Sequence, residues 1–357
     1  MMIQAVLGNP HHPEYGVATI PFPIPRDQHA HCMELLEALE IGDAVKADCK
    51  VEKVDSFYAV LKRTEMLTVN VEELNYLAKR LDSFDTGEVA QFQAMAHKLE
   101  LFELKDLINL TFCCQQATVI TDFSNLDAVG RDHYMNLHGG SASVDELNKL
   151  DGEETARQLI KNGSGTITPY GVVYDNGMKL EQVYDGRFFP CYYYEPNVIT
   201  IAVTSKAEPE DTEHITWLYL PMVQEEIDRA LLRGGITDSA DARLRLEDSQ
   251  LPNEVDVLLD MEYETLSDLG ELAEATDGLS NADMKKLGAV VMQQSGHFDY
   301  DENLDAFYDY EKYGMERMNE ENGMFTDRGY VAYKGYTGME EVMNSGQSSR
   351  VEMGGMM

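Results

Sequence analysis

The sequence is poor in basic residues and in cysteine, and it lacks a long apolar run. Its 357 residues include only 28 lysines and arginines against 64 aspartates and glutamates, so the formal net charge is −36. Such a chain has no basic face with which to bind nucleic acid directly or to dock on an anionic membrane. No apolar stretch approaches the roughly 20 residues of a membrane-spanning helix, and residues 1–16 lack the pattern of a secretory signal. We therefore expect a cytoplasmic protein that makes no membrane contact.

The five cysteines are odd in number and have no Cys-x-x-Cys spacing. This excludes a disulfide scaffold, disfavours a zinc site and favours reduced thiols in a cytosol. His29, His31 and Cys32 are close in sequence, but residues two apart on a helix do not share a face. The run Asp299–Asp305 begins like a calcium loop, yet Leu304 occupies the position where that loop needs glycine. We predict neither a metal nor a cofactor.

Signatures of catalysis are also missing. The sequence contains no Gly-x-Gly-x-x-Gly and no P-loop, so a nucleotide cradle lacks its usual pattern. The stretch 138–141 superficially resembles an oxyanion loop, but no Gly-x-Ser-x-Gly elbow accompanies it. The scarcity of lysine and arginine argues against phosphorylated substrates. We predict that the protein is not an enzyme.

What the sequence has in excess is acid. Hydrophobic residues still make up 43% of the chain, which is a globular fraction. At the charge density of duplex DNA, the excess would cover about 61 Å of axis, or ~18 base pairs. Solubility alone asks for a net charge of roughly 2–8 in a small domain. The composition favours a specialised acidic surface, with a solubilising surface as the ordinary alternative.

Hydrophobic periodicity predicts an α+β fold. Residues 2–24 alternate and carry Pro21 and Pro23, which indicates strands with edge character. The predicted helices are 27–41, 71–81, 88–99 and 125–136, and the other predicted strands are 45–61 and 118–121. In the first helix the apolar set is Ala30, Met33, Leu36 and Leu39, and Glu34, Glu37 and Glu40 lie on another face. Residues 139–206 are aromatic and β-rich, which indicates a separate small module or insertion.

An internal repeat flanks this module. The segments 18–39 and 215–235 both run from strand through proline to amphipathic helix. The matching positions are Pro25 with Pro221, Leu74 and Leu77 with Leu269 and Leu272, and residues 125–128 with 303–306. Three matches in the same order predict a duplication of a unit of roughly 120 residues.

The predicted architecture is an elongated chain of small α/β domains, with two repeat units on either side of a β-rich middle module. Five segments follow from it: an N-terminal α/β domain at 1–68, a mainly helical domain at 69–138 that closes the first repeat, the middle module at 139–206, an acidic second repeat at 207–336, and a flexible tail at 337–357.

The acids are concentrated towards the C-terminal end. Residues 295–327 contain ten acids and only Lys312 and Arg317 as bases, a net charge of −8, with four tyrosines interleaved. Asp305, Asp309 and Glu316 fall near one face of a helix, since they are four and seven apart. An ordinary solvated helix face would have the same pattern. The candidate partner-binding residues are Asp299, Asp301, Glu302, Asp305, Asp309, Glu311, Glu316, Glu320 and Glu321.

The segment 303–331, NLDAFYDYEKYGMERMNEENGMFTDRGYV, resembles the closing segment of the ArdA antirestriction proteins. The first repeat resembles the same family in LNYLAKRLDSFD (74–85) and NLDAVGRDHY (125–134). The residues that carry the resemblance near the C-terminal end are Asn303, Leu304, Asp309, Tyr310, Tyr313, Gly314, Phe325, Thr326, Gly329 and Tyr330. The helical Leu-Ala stretches are weak by themselves, whereas 303–331 is more specific.

The resemblance implies an acidic, elongated, non-enzymatic mimic of B-form DNA that is carried on mobile elements. Such proteins occupy the DNA-binding groove of type I restriction–modification enzymes and spare incoming DNA from cleavage. They are built of small α/β domains in a row and associate as dimers. The duplication implies either a homodimer or a pseudo-dimer within one chain, and the middle module has no counterpart in the family pattern.

Two other hypotheses stay open at this point. An acidic inhibitor or adaptor could bind another basic, nucleic-acid-binding defence protein without imitating the shape of DNA. An enzyme could have its site in the middle module, around Tyr170, Asp175 and Tyr192. Rows of carboxylates with DNA-like spacing would favour mimicry, and a deep pocket with convergent polar groups would favour the enzyme.

Overall fold

The computed structural model describes residues 3–140, 142–208, 211–280, 283–284, 286–288, 290, 324–326 and 329–331. These residues form an α+β fold with several small antiparallel sheets, as predicted. The helices are α1 (His29–Ala38), α2 (Val71–Asp82), α3 (Thr86–Lys98), α4 (Leu104–Leu110), α5 (Leu126–Leu137), α6 (Val144–Lys149), α7 (Gly152–Asn162), α8 (Gln224–Gly234), α9 (Asn253–Asp256) and α10 (Leu266–Thr276). The strands are β1 (Ile3–Gly8), β2 (Val17–Phe22), β3 (Cys49–Asp55), β4 (Thr68–Val69), β5 (Thr118–Ile120), β6 (Thr166–Thr168), β7 (Gly171–Tyr174), β8 (Ile199–Ser205), β9 (Thr216–Leu220), β10 (Ala242–Ser249), β11 (Met324–Thr326) and β12 (Gly329–Val331).

Contacts divide the chain into two compact units. Unit 1 consists of Met1–Pro196, Ala202–Leu218 and Met222–Arg243, and unit 2 consists of Asn197–Ile201, Tyr219–Pro221 and Leu244–Met357. This division is coarser than the five predicted segments, and it assigns 222–243 of the predicted second repeat to unit 1. The five-segment division stays a prediction, and its tail at 337–357 lies outside the described residues.

The first sheet of unit 1 has the strand order β2–β1–β3–β4. Alternate residues of β1, namely Ile3, Ala5 and Leu7, are buried, because successive side chains of a strand point to opposite faces. β2 is an edge strand, which confirms the prediction made from Pro21 and Pro23: a proline has no N–H to donate to a further strand. The sheet therefore presents one apolar face to the helices.

Local capping explains where the first helices begin. The Asn70 side chain accepts a hydrogen bond from the Glu73 N–H at the start of α2. At the start of α3, Asp85 and Glu88 form a reciprocal capping box. Both helices were predicted within a few residues, since caps and apolar spacing agree. Leu74, Leu77 and Leu81 of α2 are buried, and their spacing is the apolar period from which this helix is predicted.

Two local predictions were wrong. Ala30 of α1 is exposed, and the buried positions are His29, Cys32, Met33 and Leu36. The strand predicted at 45–61 is limited to β3, and Ala59–Thr64 form a 3-10 turn. Val60 and Leu61 are buried in that turn, and a short apolar run cannot be assigned to strand or helix by periodicity alone.

The middle module does not form a separate sheet. Its strands β6 and β7 join β5, which precedes the predicted boundary at 138, in the order β5–β7–β6. β5 is only three residues long and needs a partner strand, and Thr118 and Ile120 on either side of Val119 are buried in the sheet. The helices α6 and α7 fill the first part of the module, where a β-rich pattern was expected. In the β-rich stretch 188–203, the strand β8 begins only at Ile199.

The duplication stays a prediction, and one order of elements recurs at its first pair of matching segments. β2 leads to α1 through Pro23, and β9 leads to α8 through Pro221, so Pro23 rather than Pro25 is the residue that follows the strand in the first copy. In α10, Leu269 is buried like its match Leu74, whereas Leu272 is only half-buried although its match Leu77 is fully buried. Residues 303–306 lie outside the described residues.

Candidate acidic interaction surface

The predicted contact residues lie mostly outside the described part of the chain. This applies to all nine candidate acids, Asp299, Asp301, Glu302, Asp305, Asp309, Glu311, Glu316, Glu320 and Glu321, and to the motif residues Asn303, Leu304, Tyr310, Tyr313 and Gly314. The remaining motif residues lie on a short antiparallel pair, β11 with β12. In its backbone register Phe325 is opposite Tyr330, and Thr326 is opposite Gly329.

The described acids all keep some exposure. No described aspartate or glutamate is classed as buried. The charged side chain that is buried there is an arginine, Arg233, with an exposure of 4%. One cation is thus withdrawn from the surface, while no described acid is.

Arg233 lies at the end of α8 and uses its whole guanidinium group in unit 1. Its Nε donates to the Arg187 carbonyl at 2.7 Å, and its Nη1 donates to the Ala44 carbonyl at 2.9 Å and to Asn70 Oδ1 at 3.0 Å. Its Nη2 donates to the Tyr184 hydroxyl and to the Gly186 carbonyl. A planar fork of five N–H groups is the side chain suited to such a site.

A carboxylate completes this buried cluster. Glu73 of α2 lies 3.7 Å from Arg233 and accepts a hydrogen bond from the Tyr184 hydroxyl at 2.8 Å. Burial raises the pKa of Glu73, and the Tyr184 and Arg233 contacts oppose that rise. Burial also raises the pKa of Tyr184. The cluster joins α8 to α2 and to the middle module, and it fixes the orientation of α8.

A second arginine of α8 is also paired. Arg229 donates to Glu72 Oε1 from Nε at 2.6 Å and to the Gly42 carbonyl at 2.8 Å. The helix ends at Gly235, which adopts a left-handed conformation with φ 84° that glycine tolerates without steric cost. Sequence reasoning counted these arginines only as charge, because the apolar spacing of α8 does not mark Arg233 as buried.

Unit 2 contains the densest described acid. Residues 244–280 hold 11 acids and one base, Arg245, which gives a net charge of −10. Arg245 lies 3.2 Å from Glu247, so the single cation is itself paired. The negative charge of residues 244–280 is therefore hardly neutralised by bases of the same stretch.

Helix α10 shows how the acids of unit 2 are displayed. Leu266, Leu269 and Ala273 are buried, whereas Asp268, Glu271 and Glu274 are exposed. Residues three apart on a helix are separated by about 4.5 Å of axial rise, compared with roughly 3.4 Å between phosphates along one strand of DNA. Successive acids also rotate by about 60° around the axis, so they follow a shallow spiral.

The pKa of one carboxyl group in unit 2, that of Asp256, reflects its burial and its negatively charged neighbours. Burial, together with the carboxylates of Asp248 and Glu254, raises the pKa of Asp256. The Ser249 hydroxyl donates to Asp256 at 2.8 Å and opposes this rise. Like charges disfavour ionisation of a group that is partly withdrawn from water.

The acids predicted on the first helix are exposed, but only Glu34 and Glu37 lie on α1, because the helix ends before Glu40. Glu34, Glu37 and Glu40 all face solvent in unit 1. They form a second group of carboxylates at three-residue spacing. Their exposure fits both a contact surface and an ordinary solvated helix face.

The residues named for an enzyme site have different partners. Asp175 pairs with Lys98 at 2.5 Å, which lowers the pKa of Asp175, and the Tyr170 ring lies 6.3 Å from His97. Tyr192 instead donates from its hydroxyl to the Lys79 carbonyl of α2. Tyr170 and Asp175 thus both contact the end of α3, and Tyr192 lies against another helix.

A cleft of about 510 Å³ lies between α5 and α7 in unit 1. Its walls include His133, Tyr134, Leu137, Glu154 and Leu159, and none of the three residues named for an enzyme site.

The described residues contain no group of three or more histidines, cysteines or acids arranged to hold a metal ion. His29 and Cys32 are buried on α1, whereas His31 is exposed. Among the helices that the structure describes, none is long and apolar enough to cross a membrane.

In comparisons with known proteins, no family model matches this chain, and no curated protein sequence matches it.

Proposed function

We propose that the protein is a DNA-mimic antirestriction protein. In this proposal it occupies the DNA-binding groove of a type I restriction–modification enzyme in the cytoplasm and so protects incoming mobile-element DNA. The proposal rests on the resemblance of 303–331 to the closing segment of the ArdA proteins and on the distribution of charge in the folded chain. It involves no catalysis, no cofactor and no direct contact with nucleic acid.

The observation that carries the proposal is the exposure of the acids. No described aspartate or glutamate is buried, while Arg233 is buried and Arg229 pairs with Glu72. A DNA-binding groove is lined by lysine and arginine, and it gains affinity by neutralising phosphates. A surface rich in carboxylates and depleted of cations offers that groove a similar field.

The protein can compete with DNA for the groove because its carboxylates are already fixed by the fold. DNA that is bent by an enzyme pays a deformation energy, whereas a folded protein carries its carboxylates in place. The acids of α10, with about 4.5 Å of rise between them, approach the linear charge density of one DNA strand. Tight association that weakens with salt is the expected result.

The second candidate is an acidic inhibitor or adaptor of another basic defence protein, without imitation of DNA shape. The spiral course of the α10 acids favours it, since steps of three residues on a right-handed α-helix wind in the left-handed sense, opposite to a strand of B-form DNA. The repeat allows an intrachain pseudo-dimer under either function, and a homodimer is the alternative.

A competition assay tests the proposal. A purified type I restriction–modification enzyme is bound to labelled target duplex, and the protein is added at two salt concentrations. We expect displacement at near-stoichiometric protein and weaker displacement at the higher salt. If a large excess leaves the duplex bound, the type I assignment fails, and other basic defence proteins become the targets to test.

A further inference from the structure

The middle module contains an aromatic loop, residues 188–195, that is anchored firmly to α2. At its beginning, the Phe189 ring stacks on the Tyr76 ring with 4.5 Å between centroids and an interplanar angle of 11°. The Tyr76 hydroxyl donates to the Pro190 carbonyl at 2.9 Å. One tyrosine of α2 therefore holds this end of the loop by its ring and by its hydroxyl.

The other end of the loop is held by the next turn of the same helix. The Tyr192 side chain is buried, and its hydroxyl donates to the Lys79 carbonyl at 2.9 Å. The Lys79 ammonium in turn lies 2.8 Å from the Glu195 carboxylate. Because both ends are fixed, the residues between them have little conformational freedom left to lose on binding.

Two tyrosines between these anchors project into solvent. Tyr193 is 84% exposed and Tyr194 is 74% exposed, next to Tyr192 at 5%. Single exposed apolar side chains are ordinary, but an adjacent pair of large rings on an anchored loop is not. Rigid aromatic side chains are what protein interfaces use as anchors, since they bury a large area at a small cost in entropy.

Rings of the same loop already contact guanidinium groups within the chain. The guanidinium carbon of Arg233 lies 4.4 Å from the centre of the Phe189 ring, and that of Arg80 lies 5.6 Å from the Tyr192 ring. The guanidinium of Arg187 lies 5.7 Å from the Phe188 ring. Three rings of this loop thus already contact arginines of the chain itself, in the geometry of cation–π attraction.

We propose that Tyr193 and Tyr194 are a contact site for arginine side chains of a basic partner protein. The inference rests on the proposed function and deepens it, because it gives the middle module a role in binding the same partner. A net charge of −36 draws a partner that carries exposed cations. Arginine suits the site better than lysine, because its planar, weakly hydrated group stacks on aromatic faces.

The first test uses a hexa-arginine peptide and the full-length chain. Tyrosine ring resonances are followed by NMR during titration, with Tyr193→Phe and Tyr194→Phe single variants to assign the two rings. We expect both rings to shift, and a hexa-lysine peptide to shift them less. If hexa-arginine binds without moving these resonances, or does not bind, the inference is overturned.

Variants test the energetic role. The double variant Tyr193→Ala/Tyr194→Ala is expected to bind hexa-arginine about tenfold more weakly, because two exposed cation–π contacts are lost. The double phenylalanine variant retains both ring faces and should bind like the parent chain. Tyr15→Ala removes a ring that is 43% exposed elsewhere in unit 1 and serves as the matched control. Equal weakening by the control would show that the loop has no special role.

The type I enzyme separates this inference from the proposed function. If the parent chain does not displace duplex from the enzyme, the proposed function fails, and the peptide titration still decides the inference. If the parent chain and the double alanine variant displace duplex equally well, the inference fails alone. Ring shifts that depend on protein concentration without peptide would show that a second copy of the chain covers the loop, which also overturns it.

Discussion

Arg233 is the residue on which the arrangement of α8 depends. Its guanidinium group spans the Ala44 carbonyl, Asn70, Tyr184 and Glu73. A buried charge is tolerated only when its hydrogen-bonding groups are paired, and here each nitrogen has a partner. The chain thus places one of its few cations where it stabilises the fold and does not neutralise the surface.

Replacement of Arg233 by methionine is expected to lower the free energy of unfolding by about 3–5 kcal/mol. The side chain keeps a similar length but leaves Glu73 without its buried cation and several carbonyls without donors. Urea denaturation followed by circular dichroism measures the change. The control Arg245→Met removes an exposed arginine paired with Glu247 and should change stability little. Similar losses for both variants would contradict a special role for Arg233.

Asp256 is expected to destabilise unit 2 when it is ionised. Burial and the nearby Asp248 and Glu254 carboxylates raise its pKa, so the folded state holds the proton more tightly than the unfolded state does. Its contribution to stability is therefore highest below the ordinary aspartate pKa of about 3.9 and is lost as pH rises through the raised folded value. Asp256→Asn should be more stable than the parent chain at pH 7.

Thermal unfolding of the parent chain and the Asp256→Asn variant between pH 4 and pH 7 tests whether ionised Asp256 destabilises the fold. The two curves should converge towards acid, where Asp256 is protonated in the parent chain. Glu271→Gln removes an exposed acid of the same unit and should show no such convergence. A less stable Asp256→Asn variant at pH 7 would show that the Ser249 contact outweighs the repulsion.

At the scale of elements, the backbones of α5 and α7 can approach each other closely because both have a glycine at the contact. A Cβ added to Gly130 of α5 would overlap the Gly152 carbonyl of α7, and a Cβ on Gly152 would overlap the Asp127 carbonyl. This contact joins residues on both sides of the predicted boundary at 138. The glycines are therefore packing positions, and a helix-propensity argument alone would misjudge them.

Gly130→Ala and Gly270→Ala are expected to have opposite effects. Alanine favours a helix over glycine by about 1 kcal/mol, and Gly270 in α10 has open space around its Cα, so that variant should be stabilised. Gly130→Ala should be destabilised, because the backbone of α7 must move. Denaturant midpoints of the two variants provide the comparison. If both were stabilised, α5 and α7 would not be in this contact in solution.

The acids of α10 are expected to act as a group. Single neutralisations should change duplex displacement little, since exposed pairs contribute little each. The triple variant Asp268→Asn/Glu271→Gln/Glu274→Gln should weaken displacement of duplex from a type I enzyme and reduce its dependence on salt. The matched control Glu34→Gln/Glu37→Gln/Glu40→Gln removes the same charge from α1 and the turn that follows it. Equal weakening by both triples would favour the acidic adaptor over a defined contact face.

At the scale of the whole molecule, self-repulsion opposes folding. A net charge of −36 at pH 7 destabilises any compact state, and added salt screens it. We expect the melting temperature at pH 7.5 to rise between 0.05 M and 0.5 M sodium chloride. Near pH 5, closer to the isoelectric point of about 4.4, the rise should be much smaller. An equal rise at both pH values would point to a general salt effect on hydrophobic burial.

Local signals were sufficient for several elements. The caps Asn70 and Asp85 and the apolar spacing of α2 and α3 lie within a few residues of one another, so short-range chemistry places these helices. The edge position of β2 follows from its prolines for the same reason. The short helices α4 and α6 were missed, because six or seven residues hold too few turns for a period to emerge.

Contacts between distant residues were not predictable in this way. Arg233 meets Asn70 across 163 positions, and Tyr184 meets Glu73 across 111. No spacing rule links such residues, since their proximity depends on how whole elements pack. The sequence also could not show that Tyr192 is buried while Tyr193 and Tyr194 are exposed. All three have the same side chain, and their burial depends on how the loop packs against α2.

Composition and order along the chain by themselves determined the charge, the α+β class, the capped helices and the resemblance on which the proposed function rests. These are local or summed properties, and they do not depend on which segments meet. Three findings came from the fold: Arg233 is buried while no described acid is, the middle module shares a sheet with β5, and one loop presents two rings to solvent. Burial results from packing between elements far apart in sequence, and this is why it could not be derived from the residues in order.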